Sequence, residues 1–197
     1  MRGARRERHP RAAKGGAGYD RLQMADFTVE RVGAGVAAED VRGLARLLLD
    51  AVNSNAGISF MPGLTEADAE GWWRSLLASA PPRAIVLVAR DAAGVVGTVQ
   101  VQPSWAPNQP HRADVAKLIV HRRGRGQGIA KALMRRAEHE AAAAGLTLLF
   151  LDTCKGSAAE GLYASMGWIR AGEVPGFAFN PDGSLCDTVF FYKRVAP

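Results

Sequence analysis

The stretch HRRGRGQGIAKALM, residues 121–134, places a glycine at every second position among arginines and directly ahead of a predicted helix. Gly124, Gly126 and Gly128 follow the strand-like run DVAKLIV, and the apolar pattern after them predicts a helix over residues 127–144. A tight turn from strand to helix leaves backbone N–H groups unpaired at the positive end of the helix dipole. Glycine lets a phosphate come close to these groups, and arginines add charge-assisted hydrogen bonds. The stretch therefore predicts a phosphate-binding turn.

Two familiar phosphate loops do not fit this spacing. A Walker loop needs a lysine directly after its last glycine, but Lys131 follows Ala130. A dinucleotide fingerprint, G-x-G-x-x-G, would need a third glycine at Ile129 if it began at Gly124, or at Lys131 if it began at Gly126. A glycine-rich turn with solvated arginines and no ligand is the structural alternative.

Residues 1–23 carry most of the net charge. The chain of 197 residues has a formal charge of +6, and seven basic residues against two acidic ones give this leader +5 of it. The leader has almost no aliphatic side chains, so we expect it to be disordered, and an over-extended start ahead of Met24 explains it most simply. A transit peptide and a nucleic-acid-binding arm are the alternatives. Because the leader lacks interleaved aromatic residues, we expect no nucleic-acid partner.

The remaining residues, 24–197, have the composition of one globular domain. The chain is 48% hydrophobic and long enough for one well-buried core. It contains no apolar run of the length that spans a bilayer, so we expect no membrane partner. Cys154 and Cys186 lack metal-type spacing, and no other set of metal ligands is visible. These features predict two reduced thiols, no metal site and a cytoplasmic location.

Strand and helix patterns are mixed throughout this domain. Thr65 followed by Asp68 resembles a capping box and marks the start of a second helix. The pattern predicts an α/β fold, a single domain whose mixed sheet is flanked by helices. The predicted order is β-α-α-β-β-β-α-β-α-β-β, with elements at residues 27–32, 38–52, 65–79, 84–90, 95–102, 114–120, 127–144, 146–152, 157–166, 169–174 and 188–194.

The glycine turn matches the pattern [Q/R]-x-x-G-x-[G/A] at Arg123, Gly126 and Gly128. This pattern resembles the acetyl-CoA pyrophosphate loop of the GCN5-related N-acetyltransferases, the GNAT family. A second landmark of that family, L-Y-x-x-x-G-F, is similar to GLYASMGW at residues 161–168, on the helix after the next strand. The resemblance covers most of residues 27–194 and implies a GNAT-like fold with acetyl-CoA as cosubstrate.

The likeness extends to one branch of the family, the tabtoxin-resistance acetyltransferases, which inactivate a β-lactam-containing amino-acid toxin. The matching stretches are RADVAKLIV, LDTCKGSAAEGLYASMGWIRAGEVPGF and PDGSLCDTVFFYKR, together with NAGISFMPGL, which is similar to a substrate-side loop. The substrate need not follow from this likeness.

The resemblance assigns cofactor binding to one strand, the turn and the helices that follow. One departure is Gly156, which stands where family members often carry an asparagine that contacts pantetheine, and we expect Ser157 to substitute for it. The implied cofactor-binding residues are Leu118, Ile119, Val120, Arg123, Arg125, Gly126, Gln127, Gly128, Ile129, Ala130 and Ser157.

The implied catalytic residues are a tyrosine acid and an aspartate base. The resemblance makes Tyr163 the acid for the departing thiolate, and a phenol with a pKa near 10 stays protonated at neutral pH. A core tyrosine is the alternative.

Asp114 and Asp152 both match proposed base positions of the toxin-resistance branch. Asp114 opens its predicted strand and Asp152 closes the next, so parallel strands should place them at opposite ends. We favour Asp114, because the acetyl group of a cofactor bound at the glycine turn would point back toward it.

The sequence thus predicts an acetyltransferase that moves an acetyl group directly from acetyl-CoA to an amine or hydroxyl of a small molecule, such as a toxin or antibiotic. The alternatives are an enzyme that acetylates a protein or peptide amine and a non-catalytic acyl-CoA-binding module. By analogy with the family, we expect a homodimer.

Overall fold

The computed structural model describes residues 22–24 and 26–196. The described strands are β1 Leu22–Met24, β2 Phe27–Val32, β3 Ile85–Asp91, β4 Gly94–Pro103, β5 Arg112–Val120, β6 Leu148–Cys154, β7 Ile169–Phe179 and β8 Leu185–Arg194. The helices are α1 Ala38–Asn53, α2 Glu66–Ala78, α3 Ile129–Ala143 and α4 Ala158–Ser165, and a single 3-10 turn spans Arg122–Gly124.

The eight strands form one mixed sheet in the order β1-β2-β3-β4-β5-β6-β8-β7. The predicted element order is confirmed, with β1 as an addition at the beginning. β1 pairs with β2 from Leu22↔Val29 to Met24↔Phe27. Residues 1–21 of the predicted leader lie outside the described part of the chain, while Leu22 and Gln23 belong to the sheet.

The strands β5 and β6 are parallel and separate early. Their register runs from Arg112↔Leu148 to Asp114↔Phe150 and then ends, although β5 continues to Val120. The other neighbouring strand pairs are antiparallel. The edge of β5 that faces β6 is therefore unpaired beyond Asp114. A wedge-shaped gap, called the wedge below, opens between the two strands.

One face of the sheet is covered by α1 and α2. Trp73 of α2 is fully buried, and its indole N–H donates to the Leu44 carbonyl of α1 at 3.1 Å. The predicted capping box at the start of α2 is confirmed, since Thr65 Oγ1 accepts from the Asp68 N–H at 3.1 Å and the Thr65 N–H donates to the Asp68 carboxylate at 3.2 Å. The loop of residues 54–64 connects these two helices.

The other face is covered by α3 and α4. Ile129, Leu133 and Met134 of α3 are buried against the sheet together with Leu149 of β6. Since Ile129 is the first residue of α3, this packing fixes the start of the helix and the turn before it.

The cysteines correct an expectation from the sequence. Cys154 at the end of β6 and Cys186 in β8 form a disulfide, so the prediction of two reduced thiols is wrong for this structure. Their separation by 32 positions in sequence hid their proximity, which arises because β8 is the neighbour of β6 in the sheet. No helix in residues 22–24 and 26–196 has the length and apolar character needed to cross a membrane.

Candidate active site

The three glycines of the turn are required at their positions for different structural reasons. A Cβ on Gly124 would lie 2.6 Å from Val96 Cγ2 and 2.9 Å from Ile129 Cδ1, so this position must be glycine for packing. Gly126 and Gly128 have open space around them but φ values of +80° and +79°, in the left-handed region. Gly124 therefore allows the turn to pack against the core, and Gly126 and Gly128 allow its left-handed backbone conformation.

The start of α3 offers free backbone donors. Gly128 is the N-cap residue, has no side chain to cap the helix, and adopts the left-handed conformation with ψ of 0°. The first N–H groups of an α-helix have no partner within the helix and lie at its positive end. No acidic residue lies in the first turn, so nothing there competes with an anionic ligand.

Arg122 links the turn to Asp50 of α1. Its backbone N–H donates to Asp50 Oδ2 at 3.0 Å, and its guanidinium forms an ion pair with the same carboxylate. Burial alone would raise the pKa of Asp50, but the hydrogen bonds and charge of Arg122 hold it below its ordinary value. Asp50 was not identified from the sequence, where it is one acidic residue in an amphipathic helix.

Arg123 lies away from the predicted phosphate site. Its guanidinium pairs with Asp91 at 3.0 and 2.9 Å and donates to the Val95 carbonyl at 3.0 Å, all at the β3–β4 turn. The Gln127 side chain donates to the Arg123 carbonyl at 2.9 Å. Of the three arginines, only Arg125 borders the groove described next.

A groove runs from the glycine turn along the unpaired edge of β5 to α4. It contains most of the predicted cofactor residues but neither Arg123 nor Gln127. It also contains Lys131 in the first turn of α3, which was not predicted from the sequence. The predicted residues that line it are Leu118, Ile119, Val120, Arg125, Gly126, Gly128, Ile129, Ala130 and Ser157.

A second cavity, of about 430 Å³, continues from this groove, and we call it the Asp152 cavity. The cavity adjoins the groove, since both are lined by Ala56, Ile58, Leu118, Ser157 and Ala159. The cavity is lined by four titratable side chains, namely Lys117 of β5, Asp152 of β6, Lys155 directly after β6 and Tyr163 of α4. The topology thus brings two of the three predicted catalytic residues together.

Asp152 is exposed as a whole residue, but its carboxyl is partly removed from water and interacts electrostatically with its neighbours. Burial raises the pKa of Asp152 above the usual 3.8, the positive charge of Lys117 opposes that rise, and Asp114 adds to it. A carboxylate with a raised pKa is a better proton acceptor than an ordinary aspartate.

The phenol of Tyr163 is 5% exposed and packs between the rings of Trp168 and Phe191 at centroid distances of 5.9 and 6.0 Å. Burial, with a further contribution from Asp152, raises the pKa of Tyr163 well above 10. The neutral phenol therefore dominates at every physiological pH and can act as a proton donor.

Asp114 does not line the Asp152 cavity. Its carboxylate is 42% exposed and accepts from Arg112 at 3.0 and 2.8 Å. The expectation that Asp114 and Asp152 lie at opposite ends of the parallel pair is wrong, because the register places Asp114 opposite Phe150, two residues before Asp152. The error came from assuming a full-length pairing of strands that separate after three residue pairs.

Ser157, the predicted substitute for an asparagine, begins α4. Its hydroxyl accepts from the Glu160 N–H at 3.3 Å and lies 3.1 Å from Thr153 Oγ1. Gly156 before it has φ of +76°, and its N–H donates to the Glu160 carboxylate at 2.7 Å. Ser157 thus has a structural role at the junction of groove and cavity.

A reciprocal pair of hydrogen bonds joins Asn55, which lines the Asp152 cavity, to Asp182. The Asn55 side chain donates to Asp182 Oδ2 at 2.7 Å, and the Asp182 N–H donates back to Asn55 Oδ1 at 3.0 Å. These bonds tie the loop after α1 to the turn between β7 and β8, 127 residues away in sequence. Both segments belong to stretches that carried the toxin-resistance likeness.

Comparison with known proteins identifies the architecture. Residues 82–170 match the family model of the acetyltransferase (GNAT) domain. A GNAT acetyltransferase from Streptococcus pneumoniae is similar with a TM-score of 0.71 and 20% identity, covering 86% of this chain and all of that chain.

Two further solved structures share the fold. A Salmonella typhimurium protein assigned as an acetyltransferase and solved with its cofactor acetyl-CoA has a TM-score of 0.70 at 17% identity, covering 86% of this chain and 94% of the other. A ribosomal-protein-alanine N-acetyltransferase from Brucella melitensis has a TM-score of 0.71 at 21% identity, covering 85% and 99%. At these identities the likeness shows the fold, and the predicted single-domain mixed α/β architecture is confirmed.

Proposed function

Since residues 82–170 match the family model of the acetyltransferase (GNAT) domain and the fold is that of solved acetyltransferases, we propose that the chain transfers the acetyl group of acetyl-CoA to an amine or hydroxyl of a small molecule. The observation that carries the proposal is that the groove and the Asp152 cavity adjoin each other. A groove with free helix N–H groups opens, through Leu118 and Ser157, into a cavity that holds a carboxylate and a neutral phenol.

The residues of the groove fit acetyl-CoA, which would supply the thioester whose C–S bond breaks as the acceptor N or O bonds to the acetyl carbon. The N–H groups at Gly128 and Ile129, together with Arg125, would hold the pyrophosphate. The unpaired edge of β5 at Leu118 offers backbone groups to an extended, amide-containing arm in the way that a neighbouring strand would.

Tyr163 and Asp152 supply the two proton transfers. The phenol of Tyr163 donates a proton to the departing sulfur, for which its protonated resting state suits it. The carboxylate of Asp152 takes the proton that the acceptor amine or hydroxyl must lose. Asp152 is favoured over Asp114 because it lines the same cavity as Tyr163, whereas Asp114 is paired with Arg112 outside that cavity.

The size of the cavity supports a small acceptor. Its volume of about 430 Å³ is in the range of small-molecule sites, and the Asn55–Asp182 hydrogen bonds hold one of its lining residues in place. The substrate-side stretch of the toxin-resistance likeness includes Asn55 and Ser59, which line the cavity. This supports an amino-acid toxin or antibiotic, such as a tabtoxin-like β-lactam, as acceptor.

A specific observation bears on each of two alternatives. The Brucella melitensis neighbour is a protein-amine acetyltransferase by its name, so a protein or peptide amine is the second candidate acceptor. A non-catalytic acyl-CoA-binding module would need the groove but not a carboxylate and a buried phenol lining one cavity, and the presence of Asp152 and Tyr163 there argues for an enzyme.

A homodimer is part of the proposal. The strand β7 lies at the edge of the sheet and exposes apolar side chains, among them Phe177 at 53% and Phe179 at 61%. An unpaired apolar edge is a surface that a second copy can cover. We also propose a cytoplasmic location, where acetyl-CoA is available.

The test is acetyl-CoA-dependent thiol release, corrected for hydrolysis, against a panel of amines, amino acids, β-lactam compounds and peptides. The proposal expects turnover with at least one small acceptor and loss of turnover in Tyr163→Phe. Turnover confined to peptides would support the second candidate. Acetyl-CoA binding in calorimetry with no turnover on any acceptor would support the non-catalytic module.

A further inference from the structure

Lys117 occupies an unusual position in β5. Its φ is +52°, in the left-handed region, although it is not glycine. It lies beside the irregularity at which the β4–β5 register shifts between Thr98 and Gln100. Left-handed backbone at a lysine is unfavourable and persists where the surrounding structure imposes it, often at functional sites. Here it accompanies a side chain that lines the Asp152 cavity.

The ammonium of Lys117 is surrounded by weak partners. Its Nζ donates to Ser59 Oγ at a long 3.3 Å and lies 5.6 Å from the Phe60 ring centroid and 5.9 Å from that of Trp72. Within the described part of the chain, Lys117 forms no ion pair with a carboxylate, whereas Lys155, which lines the same cavity, pairs with Glu173 at 2.5 Å.

A partly desolvated ammonium with one weak hydrogen bond has unused donor capacity. An ammonium group carries three N–H donors. Aromatic faces attract its positive charge but do not satisfy all three donors with hydrogen bonds. Burial lowers the pKa of Lys117, while the charge of Asp152 opposes this change. An anion in the cavity would restore the hydrogen bonds that the ammonium lost on leaving water.

We propose that Lys117 is a specificity-determining residue that binds an acidic group of the acceptor, a carboxylate, while the acceptor amine faces Asp152. The proposal rests on the acetyltransferase function and specifies its substrate class as amino acids and molecules with the same pair of groups. Its basis is the presence of an anionic side chain, Asp152 of β6, and a cationic side chain, Lys117 of β5, in a cavity of small-molecule size whose other lysine, Lys155, is already paired with Glu173. Such a cavity is complementary to a zwitterion.

The competing explanation is that Lys117 acts only on Asp152, by stabilising its charge. The two explanations differ in which acceptors are affected. If Lys117 binds the acceptor carboxylate, its loss affects acids and spares their amides. If it only stabilises the Asp152 charge, its loss affects acids and amides equally and moves the acid limb of the pH profile.

The experiment compares L-amino acids with their carboxamides as acceptors, using thiol release and calorimetric binding to the CoA-loaded protein. Variants are Lys117→Met, which removes the charge at similar length, Lys117→Arg, which keeps it, and Lys155→Met as a matched control. We expect the wild type to prefer acids, and Lys117→Met to weaken acids by about tenfold to a hundredfold but amides by much less. Lys117→Arg should recover part of the preference, and Lys155→Met should keep it.

Equal binding of acids and amides by the wild type, or equal loss of both in Lys117→Met, would overturn the role of Lys117. Acetyl-CoA affinity, measured separately in each variant, distinguishes this outcome from a failure of the proposed function. A protein that binds acetyl-CoA and acetylates the amines of amino-acid carboxamides as well as those of amino acids is still an acetyltransferase. Its selectivity, however, does not depend on Lys117.

Discussion

The Arg123 guanidinium and the Asp91 carboxylate form a two-point ion pair at 3.0 and 2.9 Å, and this pair turns the side chain of the motif arginine away from the groove. The motif position therefore stabilises the loop, and the arginine two residues later borders the site.

Arg123→Ala is expected to lower the free energy of unfolding by about 1 to 2 kcal/mol while acetyl-CoA affinity changes little, because the lost contacts are within the protein. Arg125→Ala is expected to do the opposite, weakening acetyl-CoA binding by about 1 to 3 kcal/mol with little change in stability. Thermal unfolding and calorimetry measure the two effects. A larger loss of affinity in Arg123→Ala than in Arg125→Ala would reverse these assignments.

Substitutions of the glycines in the turn should likewise differ, with one lowering stability and another lowering acetyl-CoA affinity. Gly124→Ala introduces a Cβ that overlaps Val96 and Ile129, so we expect a loss of about 1 to 3 kcal/mol in stability. Gly126→Val has space but an unfavourable φ, and its side chain would hinder phosphate approach. We expect it to reduce acetyl-CoA affinity strongly in a protein that still folds, as circular dichroism and calorimetry would show. Unchanged affinity in folded Gly126→Val would exclude the turn as the phosphate site.

The pH dependence should identify the base. Because burial raises the pKa of Asp152, the carboxyl is protonated, and inactive as a base, up to a pH above the ordinary aspartate value of 3.8. The rate should therefore fall as pH is lowered through this raised pKa, and Asp152→Asn should remove that limb and lower turnover by about a hundredfold or more. Asp114→Asn is the matched control. If only the Asp114 variant loses the limb, the sequence-based choice of Asp114 is correct and the geometric choice is not.

Tyr163→Phe should lower turnover but leave the acid limb in place, since that limb belongs to the carboxylate. The raised pKa of Tyr163 means that its phenol ionises only above pH 10, so the wild type should show no alkaline limb from this group at lower pH. A full pH–rate profile of both proteins tests this. Wild-type turnover in Tyr163→Phe would show that another group protonates the sulfur.

A chain that begins at Leu22 should keep the melting temperature and acetyl-CoA affinity of the full chain, because β1 is retained. A chain that begins at Phe27 lacks β1 and should melt lower. Salt-sensitive DNA binding that is lost with residues 1–21 would contradict the expectation of no nucleic-acid partner.

The sequence alone determined the features that depend on local patterns. Hydrophobic periodicity predicted the order of strands and helices, Thr65 and Asp68 predicted the start of α2, and the alternate glycines before α3 predicted a turn with free backbone donors. Resemblance to a family then connected this turn with acetyl-CoA.

Only the tertiary structure decided which side chains meet. The early separation of β5 from β6 opens the wedge, places Asp152 with Lys117 and Tyr163, and leaves Asp114 outside. Neither the register of a parallel pair nor the direction of an arginine side chain follows from local pattern, because both depend on partners distant in sequence, such as Asp91 for Arg123. The disulfide between Cys154 and Cys186 has the same origin, since it arises from the adjacency of β6 and β8 in the sheet.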